Sequence, residues 1–350
     1  MRISLSETEV IAPNFKKRLS GVTSTIVQLI PLQRKSGIRI STLGPGLPED
    51  LPSLSYFSLF GLWKKPKDRR FRIWHARRNV EMIAGILMRN ILRMKIKLIF
   101  TSAAQRDHKS FTKFLIRRMD RVIATSARSG SYLEVPHKVI MHGVDLERFH
   151  PPRDAEDDFS ASGLPGKYAI GCFGRVRHQK GTDLFVDAMV ALLPNYPDWT
   201  AVVTGRTTAE HADFEENLRK KIAAAGLEDR IFILGEVPDV RVWYRRVSLY
   251  VAPSRNEGFG LTPLEAMASQ TAVVASDAGA YAELITPQTG SVVAAGDGEA
   301  LTKAIAPWLA NIEDTKAAGQ LALQHVCEAF PLSREANAIA EVYEELFSQS

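Results

Sequence analysis

Two carboxylates, Glu257 and Glu265, flank a glycine-containing turn in the segment RNEGFGLTPLEAMASQ, residues 255–270. Gly258 and Gly260 lie between them, and glycine lets main-chain amides come close to a ligand. Glu265 also has a structural explanation, because TPLE predicts a Thr-x-x-Glu capping box with proline in the first helical turn. Glu257 can equally be a solvated loop acid. This segment alone supports the structural and the functional explanation about equally.

A cationic loop follows an earlier predicted strand. AIGCFG ends at Gly174 and runs through RVRHQKG into a helix predicted from Thr182. The free N–H groups and the dipole of a helix start favour an anion. Arg175 can hold phosphate oxygens bidentately, and Lys180 adds a point charge. The alternative is a solvated basic loop. The glycine spacing fits neither a P-loop nor a dinucleotide fingerprint, so the pattern indicates an anion site of another kind.

Two further candidates lie in the first half of the chain. RLSGVTSTIVQL, residues 18–29, contains a Ser-Gly turn before a helix, and Gly21 would let backbone approach a ligand. FRIWHARRN places His75, Arg77 and Arg78 at the end of a predicted strand. These three are either a basic surface turn or a site for an anionic sugar acceptor. No histidine pair has metal-ligand spacing and no Asp-x-Asp follows a strand, so we expect no metal and no cofactor.

The elements that must position these residues are short apolar runs alternating with helical patterns. This order predicts a doubly wound α/β domain in the second half, with ligands beyond the carboxyl ends of the strands. Its predicted strands are 167–174, 199–205, 230–235, 249–254 and 271–276, and its clearest helices are 182–193 and 212–226. Six strand patterns and two helical patterns in the first half predict a second α/β domain.

The predicted domains are residues 1–150 and 151–332. The proline-rich, acidic segment 142–166 is the predicted linker. An amphipathic helix over 333–350 is expected to pack back on the first domain.

Charge divides along the same line. Residues 1–150 hold 28 Lys and Arg against 11 Asp and Glu, a net charge of +17, whereas residues 151–350 carry a net charge of −11. The basic half predicts a polyanionic partner: nucleic acid, anionic lipid or a phosphorylated glycolipid. The chain has two cysteines and no apolar run of membrane-spanning or signal-peptide character. We therefore expect an intracellular, cytoplasmic protein.

Taken together and in this order, the motifs resemble the retaining glycosyltransferases of family 4. The matching segments are Ser20–Gly21, HGVDLERFHP (142–151), GRVRHQKG (174–181), VAPSRNEGFGLTPLEAMA (251–268) and SDAGAYAE (276–283). Within that family, FKKRLSGVTSTIVQLIP, WHARRNVEM and GCFGRVRHQKGTDLF are similar to the rhizobial lipopolysaccharide-core mannosyltransferases, which use GDP-mannose.

The resemblance implies a GT-B fold, with two Rossmann-like doubly wound domains facing a cleft. Residues 1–150 would bind the acceptor and residues 151–332 the nucleotide sugar. It implies mannose transfer from GDP-mannose to the Kdo-containing inner core of lipopolysaccharide, on a lipid A acceptor. Glu257 would bind donor-sugar hydroxyls and Glu265 the ribose. The implied catalytic residues are Arg175, Lys180, Glu257 and His75. The implied donor-binding residues are Gly21, Gly174, Arg175, Lys180, Glu257, Gly258, Phe259, Gly260, Leu261 and Glu265, and the acceptor-binding residues are His75, Arg77 and Arg78.

The chain departs from the family at Ala103, where many relatives carry a histidine. His75, His108, or the backbone and phosphate would then take that part. Base selection is expected to depend on GEVPDVRVW, residues 235–243.

Basic clusters mixed with aromatic and aliphatic residues, at 62–78 and 111–121, predict reversible attachment to the cytoplasmic face of the inner membrane. Three alternatives remain: a sugar-nucleotide 2-epimerase of the same fold, a transferase using another nucleotide sugar, and a nucleic-acid-binding module. No signature of a nucleic-acid-binding fold supports the last, so we expect no nucleic acid partner.

Overall fold

The computed structural model describes residues 1–17 and 21–349, without the side chain of Val22. The chain forms two compact units. The first comprises Met1–His142 and Leu332–Ser350, and the second comprises Gly143–Pro331.

The first unit is built on a seven-stranded parallel sheet of order β3-β2-β1-β4-β5-β6-β7. All six strand patterns predicted in the first half are strands here, and β3 is an addition. The strands are β1 (Val10–Pro13), β2 (Ile40–Leu43), β3 (Ser53–Leu54), β4 (Arg72–Ala76), β5 (Ile96–Ser102), β6 (Arg121–Ala124) and β7 (Lys138–Val139). The helices are α1 (Gly21–Lys35), α2 (Asn79–Ile86), α3 (Ser110–Ile116), α4 (Ala127–Ser131) and the C-terminal helix (Leu332–Ser348).

The C-terminal helix is amphipathic and belongs to the first unit. Its buried side chains recur at intervals of three and four residues, which places them along one face. They are Leu332, Ala336, Ile339, Tyr343 and Leu346. This face shares one apolar core with α1 and the sheet.

The second unit contains a six-stranded parallel sheet of order β10-β9-β8-β11-β12-β13. The structure confirms the five strands predicted there. Their continuous apolar runs suit parallel strands that are buried on both faces. The strands are β8 (Tyr168–Phe173), β9 (Trp199–Thr204), β10 (Ile231–Gly235), β11 (Leu249–Ala252), β12 (Ala272–Ser276) and β13 (Gly290–Val293). The helices are α5 (Thr182–Leu192), α6 (Ala212–Ala224), α7 (Val240–Arg246), α8 (Thr262–Ala268), α9 (Tyr281–Leu284), α10 (Gly298–Ala310) and α11 (Ile312–Ala329).

The segment predicted as a linker, 142–166, is largely part of the second unit. Val144 donates its N–H to Phe330 O at 2.9 Å, and the Phe149 ring packs edge-on against Tyr244. Asp157 forms an ion pair with Arg245. Because of these contacts the second unit begins at Gly143, and not after the predicted residue 150.

No helix in the described part of the chain combines the length and apolar character needed to cross a membrane.

Candidate functional site

The carboxyl ends of β8 and β11 form the switch point of the second sheet. The two strands are neighbours, and the strand order runs outward in opposite directions from them. Ligands of doubly wound sheets bind at this position. The basic turn 174–181 follows β8, and the loop 253–261 follows β11. The fold thus brings the two candidate loops side by side.

Lys180 and Glu257 form an ion pair across these loops, with side chains about one-fifth exposed. Arg175 is exposed and has no ion-pair partner among the described residues. A diphosphate placed here would meet the Arg175 guanidinium, which is not engaged in an ion pair among the described residues. Lys180 offsets the charge of the Glu257 carboxylate, and this reduces the repulsion between that carboxylate and a bound anion.

Arg255 joins the two loops, a role that the sequence patterns do not predict. Its guanidinium pairs bidentately with Asp183 at 2.7 and 2.8 Å and donates to His178 O at 2.7 Å. Its N–H donates to Gln179 O at 2.9 Å. An arginine two positions before Glu257 was a signal in the sequence, but its partner lies 72 residues away along the chain.

Two glycines allow close packing around the site, Gly181 where the two loops meet and Gly260 where the second loop meets α9. Gly181 has φ +70°, and a Cβ there would lie 1.9 Å from Pro253 O. Gly260 has φ +88°, and its Cβ would lie 2.1 Å from the Tyr281 ring. No other residue fits either position without moving the loops, because both the conformation and the space exclude a side chain.

Glu265 does not form the predicted capping box. The residue before α8 is Leu261, which makes no side-chain cap, although proline does occupy the first helical turn. The Glu265 carboxylate instead accepts a hydrogen bond from the Tyr244 hydroxyl at 2.9 Å. The surrounding protein raises the pKa of Glu265, and the Tyr244 hydroxyl, Arg148 and Lys180 oppose that rise. The carboxylate is held by a tertiary contact rather than by its own helix.

The remaining donor candidates have simpler surroundings. Phe259 is buried, Gly174 has φ +137°, and Gly258 donates its N–H to the Glu257 carboxylate at 3.2 Å. Gly21 begins α1 in the first unit, with open space where a Cβ would lie. The predicted turn partner Ser20 lies outside the described residues.

His75 lies inside the first unit and is fully buried. Its Nδ1 is 2.7 Å from the Tyr343 hydroxyl, and its Nε2 is 2.7 Å from Thr101 Oγ1. Burial and the neighbouring Arg77 hold the pKa of His75 well below 6.5. Both ring nitrogens are occupied and no surface is offered, so the prediction that His75 contacts an acceptor disagrees with the structure. Instead, the hydrogen bond between His75 and Tyr343 joins the C-terminal helix to β4 of the sheet.

Arg78 is also an internal residue. Its guanidinium donates to Asn14 Oδ1 at 2.7 Å and to Thr23 Oγ1 at 3.2 Å, and it pairs with the buried Glu81. Arg77 differs, because its side chain donates to His75 O at 3.2 Å and has no carboxylate within ion-pair distance in the described residues. Burial lowers the pKa of Arg77. Only Arg77 of the three predicted acceptor residues keeps a guanidinium without an ion pair.

Ala103 is partly exposed just beyond β5. His108 lies nearby, with Nε2 3.2 Å from Ser102 Oγ. Burial, Lys113 and Arg106 lower the pKa of His108, so it is a neutral imidazole at neutral pH. The structure thus offers His108, rather than His75, as the accessible histidine of this strand edge.

Within the described ranges, no three His, Cys, Asp or Glu side chains converge in an arrangement that could hold a metal ion. The expectation of a metal-free site stays a prediction.

Comparison with known proteins places this site in a family. Residues 167–311 match the family described as glycosyl transferases group 1. The chain is 67% identical to the lipopolysaccharide core biosynthesis mannosyltransferase LpcC of Rhizobium leguminosarum bv. viciae, over 99% of both chains. It is 54% identical to the enzyme of the same description, LpsB, of Rhizobium meliloti, over 98% of this chain and 99% of that one.

A solved structure shows the same fold. Anabaena Alr3699/HepE, in complex with UDP and glucose, covers 97% of this chain with a TM-score of 0.80 at 18% identity. The two parallel-sheet, Rossmann-like units are those of a GT-B architecture. The chain belongs to the glycosyl transferases group 1 family and is a glycosyltransferase.

Proposed function

We propose that the protein transfers mannose from GDP-mannose, with retention of configuration, to the Kdo-containing inner core of a lipid A-linked lipopolysaccharide precursor. The observation that carries the proposal is the Lys180–Glu257 pair beside the uncommitted Arg175, at the switch point of the second sheet. The enzyme that is 67% identical over nearly the whole chain is described as a lipopolysaccharide-core mannosyltransferase.

Two carboxylates divide donor recognition in this proposal. Glu257 accepts hydrogen bonds from sugar hydroxyls while Lys180 offsets its charge next to the diphosphate. Glu265, held at one oxygen by Tyr244, has the other oxygen for the ribose hydroxyls. A half-buried carboxylate with one fixed hydrogen bond is preorganised, so little freedom is lost on binding.

Arg175 and Lys180 act on the leaving group. The bond between the anomeric carbon and the β-phosphate oxygen breaks, the acceptor oxygen bonds to the same carbon, and the acceptor proton passes to the departing diphosphate. Negative charge builds on that diphosphate, and preorganised cations lower the barrier. Removing one such donor costs roughly 100-fold or more in rate.

The test compares Arg175→Ala and Lys180→Ala with Lys220→Ala. Lys220 is an exposed lysine on α6 that pairs with Glu216 along its own helix. We expect kcat to fall roughly 100-fold in the first two variants and to stay unchanged in the third. Near wild-type turnover in both site variants would refute the phosphate assignment.

Donor choice is tested by ligand-induced thermal shifts. GDP-mannose should raise the melting temperature more than UDP- or ADP-sugars, because a ligand that binds only the folded state stabilises it by mass action. Conversion of GDP-mannose without any acceptor would instead support the epimerase.

The two glutamates should separate in a GDP titration. Glu257→Ala should impair transfer more than GDP binding, whereas Glu265→Ala should weaken GDP binding itself. Equal GDP affinities in the two variants would refute this division of roles.

The acceptor and the membrane concern the first unit. This unit holds 28 Lys and Arg against 13 Asp and Glu, a net charge of +15. Such an excess favours an anionic, lipid-linked acceptor and reversible attachment to the cytoplasmic face of the inner membrane.

Arg77 is the cation in this unit that we assign to the acceptor. Arg77→Gln should raise KM for the acceptor and leave GDP affinity unchanged, and an unchanged KM would remove this assignment.

A further inference from the structure

A short 3-10 helix, Tyr56–Gly61, carries the two most exposed aromatic rings in the first unit. Phe57 is 82% exposed and Phe60 is 71% exposed. Residues three apart lie on one side of a 3-10 helix, so the two rings project together. Leu59 and Leu62, also three apart, pack against the apolar core of the first unit and anchor the helix to it.

A second apolar edge adjoins this helix. Ile91 and Leu92, at the end of a π-helical turn (Leu87–Ile91), are 68% and 46% exposed. Trp63 is 43% exposed, and its indole N–H donates to Leu92 O at 2.7 Å. That hydrogen bond makes the two edges one surface. We call it the aromatic face: Phe57, Phe60, Trp63, Ile91 and Leu92.

Exposed cations border the aromatic face. Lys64 and Lys65 directly follow Trp63, and Arg93 and Lys95 closely follow Leu92. All four are exposed and form no ion pair among the described residues. Residues 56–118 contain 17 Lys and Arg against three Asp and Glu. The surface therefore combines projecting apolar groups with unneutralised positive charge.

Exposed apolar side chains are concentrated in this part of the chain. Of the fourteen large apolar side chains that are exposed in the described residues, ten lie between residues 56 and 114. Exposed apolar side chains scattered singly over a protein are ordinary, but several of them on one surface, as on the aromatic face, mark an interaction site.

We infer that the aromatic face inserts into the boundary between the headgroups and the acyl chains of an anionic bilayer. Aromatic rings suit that boundary, and basic side chains around them suit the headgroup phosphates. A second copy of the chain would bring two such basic rims together, which repel. A nucleic acid would leave the aliphatic side chains of the face without a partner. The inference deepens the proposed function, since it states how the enzyme reaches a lipid-linked acceptor.

Insertion makes a different prediction from electrostatic adhesion alone. Adhesion through charge is screened by salt, whereas burial of rings is not. Each ring removed should lower partitioning about ten-fold. The double variant Phe57→Ser/Phe60→Ser should therefore lose about 100-fold. Both rings are largely exposed, so the substitution removes little folded-state packing.

The experiment is co-sedimentation of the full chain with vesicles of phosphatidylcholine alone or mixed with phosphatidylglycerol. The wild type should bind the anionic vesicles, and part of that binding should survive high salt. Phe57→Ser/Phe60→Ser should lose the salt-resistant part. The control is Leu321→Ser, which removes a 45% exposed apolar residue from α11 of the second unit.

Trp63 provides a second measurement. Its fluorescence should shift to the blue on vesicle addition, and Trp63→Phe should lose that part of the signal. Any one of three results would overturn the inference. The double variant Phe57→Ser/Phe60→Ser could bind vesicles like the wild type, Leu321→Ser could lose as much vesicle binding as the double variant, or the double variant could abolish a self-association of the wild type. Vesicle binding is measured without donor, so a failure of the GDP-mannose assignment would leave it standing.

Discussion

Tyr244→Phe isolates the contact that positions Glu265. The Tyr244 hydroxyl donates to Glu265 Oε2 at 2.9 Å, and the ring is 1% exposed among Phe149, Phe173 and Tyr250. Phenylalanine keeps that packing and removes only the hydroxyl. A hydrogen bond to a charged group contributes about 1.5–3 kcal/mol. If donor binding depends on the full bond, GDP affinity should fall roughly 10- to 150-fold.

The same substitution should also change how GDP affinity depends on pH. The surrounding protein raises the pKa of Glu265 and the Tyr244 hydroxyl opposes the rise, so removing the hydroxyl should raise that pKa further. The carboxylate then becomes protonated at a higher pH. GDP affinity of Tyr244→Phe should consequently begin to fall, on acidification, at a higher pH than that of the wild type.

Stability responds in the opposite direction. A carboxyl whose folded-state pKa exceeds its unfolded value favours folding when protonated, and this contribution is lost as pH rises through the folded-state pKa. Above that pH the folded state carries a partly buried charge. Glu265→Gln should therefore melt at a higher temperature than the wild type at neutral pH, while it binds GDP less tightly.

The assay is isothermal titration of GDP from about pH 5 to pH 8, a range that begins above the ordinary pKa of a glutamate carboxyl. The matched control is Tyr196→Phe, which also loses one hydroxyl in the second unit, donated to Ala306 O at 3.4 Å. The control should bind GDP like the wild type throughout. Identical GDP affinity of Tyr244→Phe and wild type at every pH would refute the positioning role of Tyr244.

Other predictions use single groups. Burial raises the pKa of Cys172 to about 12 and Cys327 is exposed, so iodoacetamide at neutral pH should label Cys327 alone; mass spectrometry finding a label at Cys172 in the folded protein would contradict this. His75 has a folded-state pKa well below 6.5, so unfolded chains gain a proton that folded ones do not as pH falls below about 6.5. The wild type should then lose more stability on acidification than His75→Gln, and parallel pH profiles in thermal melts would disprove this. Gly260→Ala should destabilise more than Gly296→Ala, because both have positive φ but only Gly260 has a neighbour within 4 Å of its Cβ position; equal melting temperatures would show that the loop yields freely.

The sequence by itself determined the elements of this protein. Continuous apolar runs such as AIGCFG and TAVVAS predict buried parallel strands, and the structure has strands there. The periodic pattern of residues 333–350 predicts an amphipathic helix, found at Leu332–Ser348. These patterns can be recognised because backbone preference and hydrophobic periodicity act over a few residues. The motifs taken together and in their order, with the spacing of Glu257 and Glu265 among them, also indicated the family.

Only the tertiary structure decided which side chains meet. Lys180 pairs with Glu257 across 77 residues, and His75 meets Tyr343 across 268. Glu265 looked like a helix cap because Thr-x-x-Glu is a local pattern, yet its carboxylate binds Tyr244 on another helix. His75 looked accessible because a strand end in isolation is exposed, until the C-terminal helix covers it. Partners and burial are set by packing between distant segments, because a side chain's hydrogen bonds depend on what the fold brings within reach and not on its neighbours in sequence.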